Sequence, residues 1–257
     1  MISLGRCTMR ILAVGDIHSP RYLDGFVASL REHEPPDILL MAGDMINKGE
    51  VSEYSRLLDA IDDIWGKGYP RASCFGNEEY SSIRDEIVAS VGSRIDFLDD
   101  RGRVYRVAGK RVGIVGTQGS LDKPTEWQKK NLPNIKSVFV RRAKRASTLL
   151  QEMSHRVDIK ILLMHYSPCI ETCVGEDERA FSWLGSRRFY TVVLKEQPDF
   201  VIHGHVHNST VLSCTIGKTI VRNVAFPAAR SLTCLELGEE SQMPPAMVSG
   251  PRYHDGP

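Results

Sequence analysis

The chain has 257 residues, with 33 Lys and Arg against 32 Asp and Glu, and its net charge of +1 gives no overall attraction to nucleic acid or to a membrane surface. A chain of this length can bury one large core or two small ones. No apolar stretch reaches membrane-spanning length, and residues 1–8 are too short and polar for a signal peptide. We therefore expect a cytoplasmic protein with a short N-terminal extension at residues 1–8.

The six cysteines are spread through the chain, unlike the dense pattern of a small secreted domain. Cys169 and Cys173 form a C-x3-C motif that has no second half elsewhere. We expect them to be small core or loop residues rather than part of a zinc or redox site.

The first half of the chain alternates apolar runs of strand length with amphipathic helices. Each of the first three runs ends in glycine and a polar residue, at Gly15-Asp16, Gly43-Asp44 and Gly76-Asn77. This βαβ order predicts a mainly parallel sheet with helices on both faces, whose ligands collect beyond the carboxyl ends of the strands. The predicted strands cover residues 10–14, 37–42 and 71–75, and the predicted helices cover 21–34, 51–66 and 79–91.

The second half is richer in predicted strands. A hairpin joins residues 103–107 to 111–115, and the polar, Trp-bearing segment 116–133 has the length of a lid or binding loop. The predicted helices cover 134–153 and 186–196, and the remaining strands cover 158–164, 199–202, 209–215, 218–224 and 231–237. We expect one domain over residues 9–238, with a lid loop and basic helix at 117–155, and a poorly ordered tail at 239–257.

Seven potential metal ligands follow five of the apolar runs. They are Asp16, His18, Asp44, Asn77, His165, His205 and His207. One structural zinc takes only four ligands, so the set suits two adjacent ions that share a carboxylate. At strand geometry, residues two apart such as His205 and His207 lie on the same face about 6–7 Å from each other, a spacing compatible with two adjacent ions.

The order of these motifs (D-x-H, G-D, G-N, an isolated His and G-H-x-H) resembles that of the calcineurin-like metallophosphoesterase superfamily. All five motifs occur in sequence order between residues 16 and 207. The resemblance implies an α/β fold, a four-layer αββα sandwich of two mixed sheets flanked by helices. It also implies that Asp44 bridges two divalent ions. One ion is then held by Asp16, His18 and His207, and the other by Asn77, His165 and His205.

The implied activity is hydrolysis of a phosphomonoester or phosphodiester by a metal-bridging hydroxide. His and carboxylate ligands suit Mn, Fe, Co, Ni or Zn, and the sequence does not choose among them. We expect a phosphate-ester small molecule as substrate, with nucleotides preferred. The oligomeric state, including a homodimer, stays open. A metal-dependent nuclease is one alternative, and a catalytically weak metal-binding scaffold is another.

The third motif departs from the family pattern. Where the family has G-N-H-[DE], with a His thought to assist the leaving group, this chain has Gly76-Asn77-Glu78-Glu79. An ionised Glu78 about 5 Å from a bound phosphate would repel it by roughly 3 kcal/mol at an effective dielectric near 20. We name Glu78, with Asp44, as the candidate catalytic residues, while a Glu78 that touches a metal or turns away stays an alternative.

Three side chains are predicted to contact substrate: Asn77, Tyr166 and Trp127. Trp127 is able to stack on a base or to anchor its loop in the core. His203 is expected to pack or to support the ligands. Between Trp127 and Gln151 the chain has basic residues and no acid, a surface that favours polyanions if it borders the cleft and is otherwise simply solvated. Those basic residues are Lys129, Lys130, Lys136, Arg141, Arg142, Lys144 and Arg145.

Overall fold

The computed structural model describes residues 8–237, which form two β-sheets packed between helices. The strands are β1 (Met9–Val14), β2 (Ile38–Met41), β3 (Arg71–Ser73), β4 (Asp96–Phe97), β5 (Arg101–Val107), β6 (Lys110–Thr117), β7 (Ile159–Met164), β8 (Phe200–His203), β9 (Ser213–Ile216), β10 (Thr219–Asn223) and β11 (Thr233–Leu237). The α-helices are α1 (Leu23–Arg31), α2 (Ser52–Trp65), α3 (Arg84–Val91), α4 (Glu126–Asn131), α5 (Ile135–Met153), α6 (Arg187–Glu196) and α7 (Phe226–Ala229). Two 3₁₀ helices cover Glu171–Cys173 and Glu178–Trp183. The tail predicted at 239–257, and all but the last residue of the predicted extension, lie outside the described residues.

The strand order brings the predicted ligand-bearing loops to one edge. The first sheet has the order β11-β1-β2-β3-β4, and the second has the order β5-β6-β7-β8-β10-β9. In the first sheet, β1, β2 and β3 are parallel neighbours, with Val14 beside Met41 and Met41 beside Ser73. In the second sheet, parallel strands β7 and β8 place Met164 beside His203. The loops that follow these strands therefore start side by side.

Alternation along the strands divides the core into layers. On β1, Ile11 and Ala13 lie between the two sheets, while Leu12 and Val14 lie under helices α1 to α3. On the second sheet, Leu162 faces α5 and α6, and Ile161 faces the first sheet. The predicted αββα sandwich of two mixed sheets is confirmed. Within the described range, no helix has both the length and the apolar character needed to cross a membrane.

Two predicted boundaries in the helical regions are wrong for local reasons. Helix α3 begins at Arg84 rather than at residue 79, because the Glu79 side chain bonds to backbone N–H groups of the preceding loops. The segment predicted as loop 116–133 contains α4. There Thr125 and Gln128 form a capping box, each side chain accepting a hydrogen bond from the other residue's backbone N–H.

Two strand predictions also differ from the structure. The strand expected at 209–215 begins at Ser213. Before it, the Ser209 hydroxyl donates to the Val211 carbonyl and the Thr210 N–H donates to the Val174 carbonyl, outside the sheet ladder. Strand β4 is absent from the sequence-based prediction, because two residues give no measurable alternation.

An ion-pair network joins α2 to the start of β3. Asp62 accepts hydrogen bonds from Arg71 Nη2 at 2.6 Å and from Arg94 Nη2 at 2.5 Å. Burial alone would raise the pKa of Asp62, but the two guanidinium groups outweigh burial and lower it. The Asp62 carboxylate therefore contributes to stability above its ordinary pKa, and that contribution is lost as the pH falls through its folded-state value.

We expect Asp62→Asn to lower the free energy of unfolding at neutral pH by about 2 kcal/mol, because the nearly buried Arg71 loses a charged acceptor. The measurement is urea denaturation at several pH values. The difference in unfolding free energy between wild type and variant should be constant above about pH 5 and should narrow below about pH 4, because the Asp62 carboxylate of the unfolded chain then takes up a proton before that of the folded protein. Asp63→Asn, at an exposed neighbour on the same helix, is the matched control. A gap that stays constant with pH would contradict this account.

Candidate metal centre

The predicted ligands converge through sharp backbone turns, not through strand geometry. Strand β1 ends at Val14 and β8 at His203, before the ligands begin. Asp16, His18, Asp44 and His205 have φ values of 59°, 44°, 52° and 70°, in the left-handed region that non-glycine residues rarely adopt. The predicted i, i+2 strand spacing is therefore wrong as an explanation. Such strained positions gather where the surrounding structure fixes a functional geometry.

The first cluster consists of Asp16, His18 and His207. The Nε2 atom of His207 lies 3.0 Å from Asp16 Oδ1 and 3.5 Å from His18 Nε2. One ligand atom from each residue lies within 4.8 Å of the others, a spacing that suits a shared ion. The second Asp16 oxygen accepts the backbone N–H of His205 at 2.8 Å, which fixes the carboxylate against the G-H-x-H loop.

The second cluster consists of Asp44, His165 and His205, again with ligand atoms within 4.8 Å of one another. Asn77 joins it through Oδ1, which lies 3.0 Å from His165 Nε2. The Nδ1 atom of His165 lies 2.9 Å from the Ala42 carbonyl oxygen. Because a carbonyl oxygen only accepts, Nδ1 carries the hydrogen of this bond, and in the neutral imidazole the lone pair is then on Nε2. Backbone contacts of this kind orient metal-binding imidazoles.

Asp44 lies between the two clusters. Its Oδ2 atom is 3.4 Å from His165 Nε2 and 3.9 Å from His18 Nε2. Burial would raise the pKa of Asp44, but the neighbouring imidazoles, His165 above all, outweigh burial and lower it. Burial would lower the pKa of His165, yet the Asp44 carboxylate raises it to about 9. An ionised carboxylate reaching imidazoles of both clusters has the position that a bridging ligand requires.

The donor set fits divalent first-row ions. Carboxylate and amide oxygens with imidazole nitrogens suit Mn, Fe, Co, Ni or Zn. All seven predicted ligands lie at the same edge, where the loops of both sheets meet.

A buried carboxylate that the sequence analysis did not single out holds this edge together. Glu79 accepts hydrogen bonds from the backbone N–H groups of Gly76 at 2.6 Å, Asp44 at 2.8 Å and Met45 at 2.7 Å. Burial, followed by the charge of Asp44, raises the pKa of Glu79 to about 7. The sequence does carry a signal for it, because Glu79 occupies the acidic fourth position of the family's G-N-H-[DE] motif.

Glu78 is hydrogen-bonded to the loop that follows Asp44. Its Oε2 atom accepts the backbone N–H of Lys48 at 2.6 Å, and its own N–H donates to Asp44 Oδ1 at 2.7 Å. The Glu78 side chain thus braces the loop after Asp44, and its backbone orients the Asp44 carboxylate. Burial lowers the pKa of His18, and the charge of Glu78 is among those that oppose this shift, so Glu78 is within electrostatic reach of the first cluster. The choice between a catalytic Glu78 and one that turns away stays a prediction.

The predicted substrate contacts have different surroundings. Tyr166 is buried, its ring lies 4.8 Å from that of His205, and its hydroxyl is 3.4 Å from Gln118 Nε2. Trp127 is 61% exposed on α4, so it does not anchor that segment in the core. Asn77 sits within the second cluster. His203, the candidate supporting residue, contacts Thr172 through Nε2 and Gly204 through Nδ1, so both ring nitrogens have protein partners.

The basic segment is mostly a solvated surface with one structural arginine. Arg142 Nη2 donates to Gln118 Oε1 at 2.8 Å, and Gln118 Nε2 donates to the Gly76 carbonyl at 2.9 Å. Arg142 therefore supports the loop of Asn77 through one intermediate side chain. Lys136, Arg141 and Lys144 are exposed.

The chain was compared with known families and structures. A family model described as calcineurin-like phosphoesterase matches residues 9–209. A search of the curated proteins by sequence found no match.

Solved structures share the fold at low sequence identity. The phosphopantetheinyl hydrolase of Mycobacterium tuberculosis is 14% identical, with a TM-score of 0.67 over 93% of this chain and 99% of that chain. The TT1561 protein of Thermus thermophilus is 16% identical, with a TM-score of 0.55 over 88% of this chain and 98% of that chain. GAP50 of Plasmodium, an anchor in the inner membrane complex, is 11% identical, with a TM-score of 0.57 over 91% of this chain and 82% of that chain.

The glycine of the G-N motif leads to a test of the site geometry. A Cβ atom at Gly76 would collide with Asp44 Oδ1 and the Asp44 backbone nitrogen. We expect Gly76→Ala to weaken divalent-ion binding by more than about 10-fold, measured by calorimetric titration of Mn²⁺, because the shift of Asp44 disturbs both clusters. Gly68→Ala is the control, since no atom lies within 4 Å of a Cβ there. Equal Mn²⁺ affinity for the two variants would contradict the geometry.

Proposed function

The chain belongs to the calcineurin-like phosphoesterase family, and we propose that it is a dinuclear-metal-dependent phosphoesterase acting on a phosphomonoester or phosphodiester. The observation that carries the proposal is the pair of Asp/His clusters with the Asp44 carboxylate between them. Divalent cations bound there would supply positive charge for a phosphoryl group and acidify a water molecule. The proposed holders are Asp16, His18, His207 and Asp44 for one ion, and Asp44, Asn77, His165 and His205 for the other.

The protein's own groups supply charge balance and orientation. Two divalent ions carry four positive charges, and the carboxylates of Asp16 and Asp44 return two negative ones, so a phosphate is attracted. Asn77 directs its amide oxygen at His165, which leaves the amide N–H₂ as a donor suited to a phosphoryl oxygen. The backbone bonds from Glu79 to Gly76 and Asp44 keep these groups fixed, so little reorganisation is needed during reaction.

Exposed aromatic rings near the clusters support a nucleotide-like substrate. Trp183 is 40% exposed, and its carbonyl oxygen lies 3.2 Å from His205 Nε2. Trp127 is exposed next to Gln128, whose amide contacts the Tyr166 hydroxyl at 3.5 Å. A planar base could stack on either indole. Phosphopantetheine-type esters belong in the same assay panel, because the M. tuberculosis hydrolase of that name shares the fold.

A catalytically weak scaffold is the second candidate, and Glu78 favours it. Where the family pattern has a His, this chain has a carboxylate bonded to a backbone N–H at Lys48. That arrangement removes the imidazole that would assist the leaving group and leaves the seven proposed ligands in place. The Plasmodium anchor protein shares the fold, which is consistent with a non-enzymatic role on this architecture.

The first test compares wild type with Asp44→Asn in a Mn²⁺-supplemented assay. The substrates are p-nitrophenyl phosphate, its bis ester, cyclic nucleotides and a phosphopantetheine ester. We expect turnover by wild type and a loss of more than about 100-fold in kcat/KM for Asp44→Asn, because the neutral amide is a poorer bridge between two cations. Asp63→Asn is the matched control for removing a carboxylate. Wild-type protein with two bound ions and no turnover on any substrate would favour the scaffold.

The second test restores the missing imidazole. We expect Glu78→His to raise kcat at least about 10-fold, because a general acid contributes on the order of 10²–10⁴-fold when well placed. Glu78→Gln retains an oxygen able to accept the Lys48 N–H, so it separates the loss of negative charge from the gain of a proton donor. An equal gain in both variants would assign the effect to charge repulsion. No gain in either, with Mn²⁺ affinity unchanged, would contradict a rate-limiting role for this position.

A further inference from the structure

A second group of potential ligands lies between β9 of the second sheet and the segment that follows β7, and it shares no residue with the Asp/His clusters. Cys169 follows β7, Glu171 begins a 3₁₀ helix, and Cys214 lies on β9. The two sulfur atoms are 3.4 Å apart although the residues are 45 positions apart in sequence. Ligand atoms of all three residues lie within 4.8 Å of one another. We call these three residues the thiol cluster, and none of them belongs to the phosphoesterase centre.

The Glu171 carboxylate shows that packing alone does not complete this cluster. Its Oε2 atom is buried and has no hydrogen-bond partner. A buried carboxylate oxygen without a donor costs free energy, and structures normally provide one. Thiols are weak hydrogen-bond donors and do not offset that cost well. A cation bound to Oε2 and the two sulfur atoms would offset it.

The Cys169 sulfur has two hydrogen-bonding neighbours. It is a hydrogen-bond neighbour of Cys214 Sγ and lies 3.5 Å from Thr172 Oγ1. The contact with Cys214 lowers the pKa of Cys169, against the opposing effect of burial. Thiolates rather than thiols bind metals, and soft sulfur ligands select ions such as Zn²⁺ and Cd²⁺.

We propose that Cys169, Glu171 and Cys214 form a separate site for a thiophilic divalent cation of the Zn²⁺ class. Three protein ligands leave a fourth tetrahedral position for water or an added ligand. Such an ion would tie β9 to the segment after β7. That segment also contacts the end of β8, because Thr172 Oγ1 lies 2.9 Å from Nε2 of His203, two residues before His205. Cys169 and Cys173 are buried, as the sequence analysis expects, and the proposal adds a ligand role for Cys169 only.

The test is Cd²⁺ titration of the reduced full-length chain, because sulfur-to-cadmium charge transfer absorbs in the ultraviolet and the Asp/His centre contains no sulfur. The protein carries Cys7→Ser and Cys234→Ser, which remove one thiol outside the described residues and one exposed thiol on the other sheet. We expect an ultraviolet band that saturates at one Cd²⁺ per chain. Cys214→Ser should reduce the band by at least about half, and Glu171→Gln should weaken Cd²⁺ binding at least about 10-fold.

Controls separate this site from the phosphoesterase centre and from a disulfide. Asp44→Asn should leave the band unchanged, so the site is tested whether or not the proposed activity exists. Cys74→Ser, at a buried thiol between the sheets, should also leave it unchanged. Circular dichroism of each variant verifies folding. Absence of the band in folded, reduced protein would overturn the proposal. A protein that shows no Cd²⁺ band and loses two titratable thiols on peroxide treatment would also overturn it, because Cys169 and Cys214 would then form a disulfide.

Discussion

The candidate centre depends on one buried carboxylate that is not among the predicted ligands. The Glu79 carboxylate accepts hydrogen bonds from the backbone N–H groups of Gly76, Asp44 and Met45, and so joins the loops that follow β2 and β3. Those N–H groups could not be satisfied by a regular strand, because the backbone at Asp44 has left-handed φ. Without an acceptor at this place, both loops would have buried donors unpaired at a cost of about 1–3 kcal/mol each. The positions of Asp44 and Asn77 therefore follow from Glu79.

The sequence was sufficient to predict the architecture and the convergence of the candidate ligands. Apolar runs that end in glycine and a polar residue indicated parallel strands, and the order of the five motifs indicated the family and the seven ligand positions. Their convergence could be predicted because parallel strands end at a common edge. The αββα layering is confirmed, and the structure brings the predicted ligands together.

The route by which those ligands converge could not be predicted from the sequence. Periodicity describes regular strands and helices, whereas Asp16 and His205 adopt backbone angles that only the assembled loops enforce. Hydrogen bonds between loops distant in sequence, such as that of Glu78 to Lys48, also leave no periodic signal. The same limit applies to Cys214, whose neighbour Cys169 is 45 residues away on another element. Residue spacing predicts local relations, and these contacts are not local.

Each ligand cluster contains residues that follow strands of both sheets. Asp16 and His18 follow a strand of the first sheet, while their companion His207 follows a strand of the second; Asp44 and His165 are divided in the same way. Neither half of the fold contains a complete binding site, so the site exists only after the sheets have docked. Ion binding would thus stabilise the packing of the two sheets against each other. At free-ion concentrations about 1,000 times Kd, each bound ion would add about 4 kcal/mol to the free energy of unfolding. The free-metal concentration would then set the equilibrium between folded and unfolded molecules.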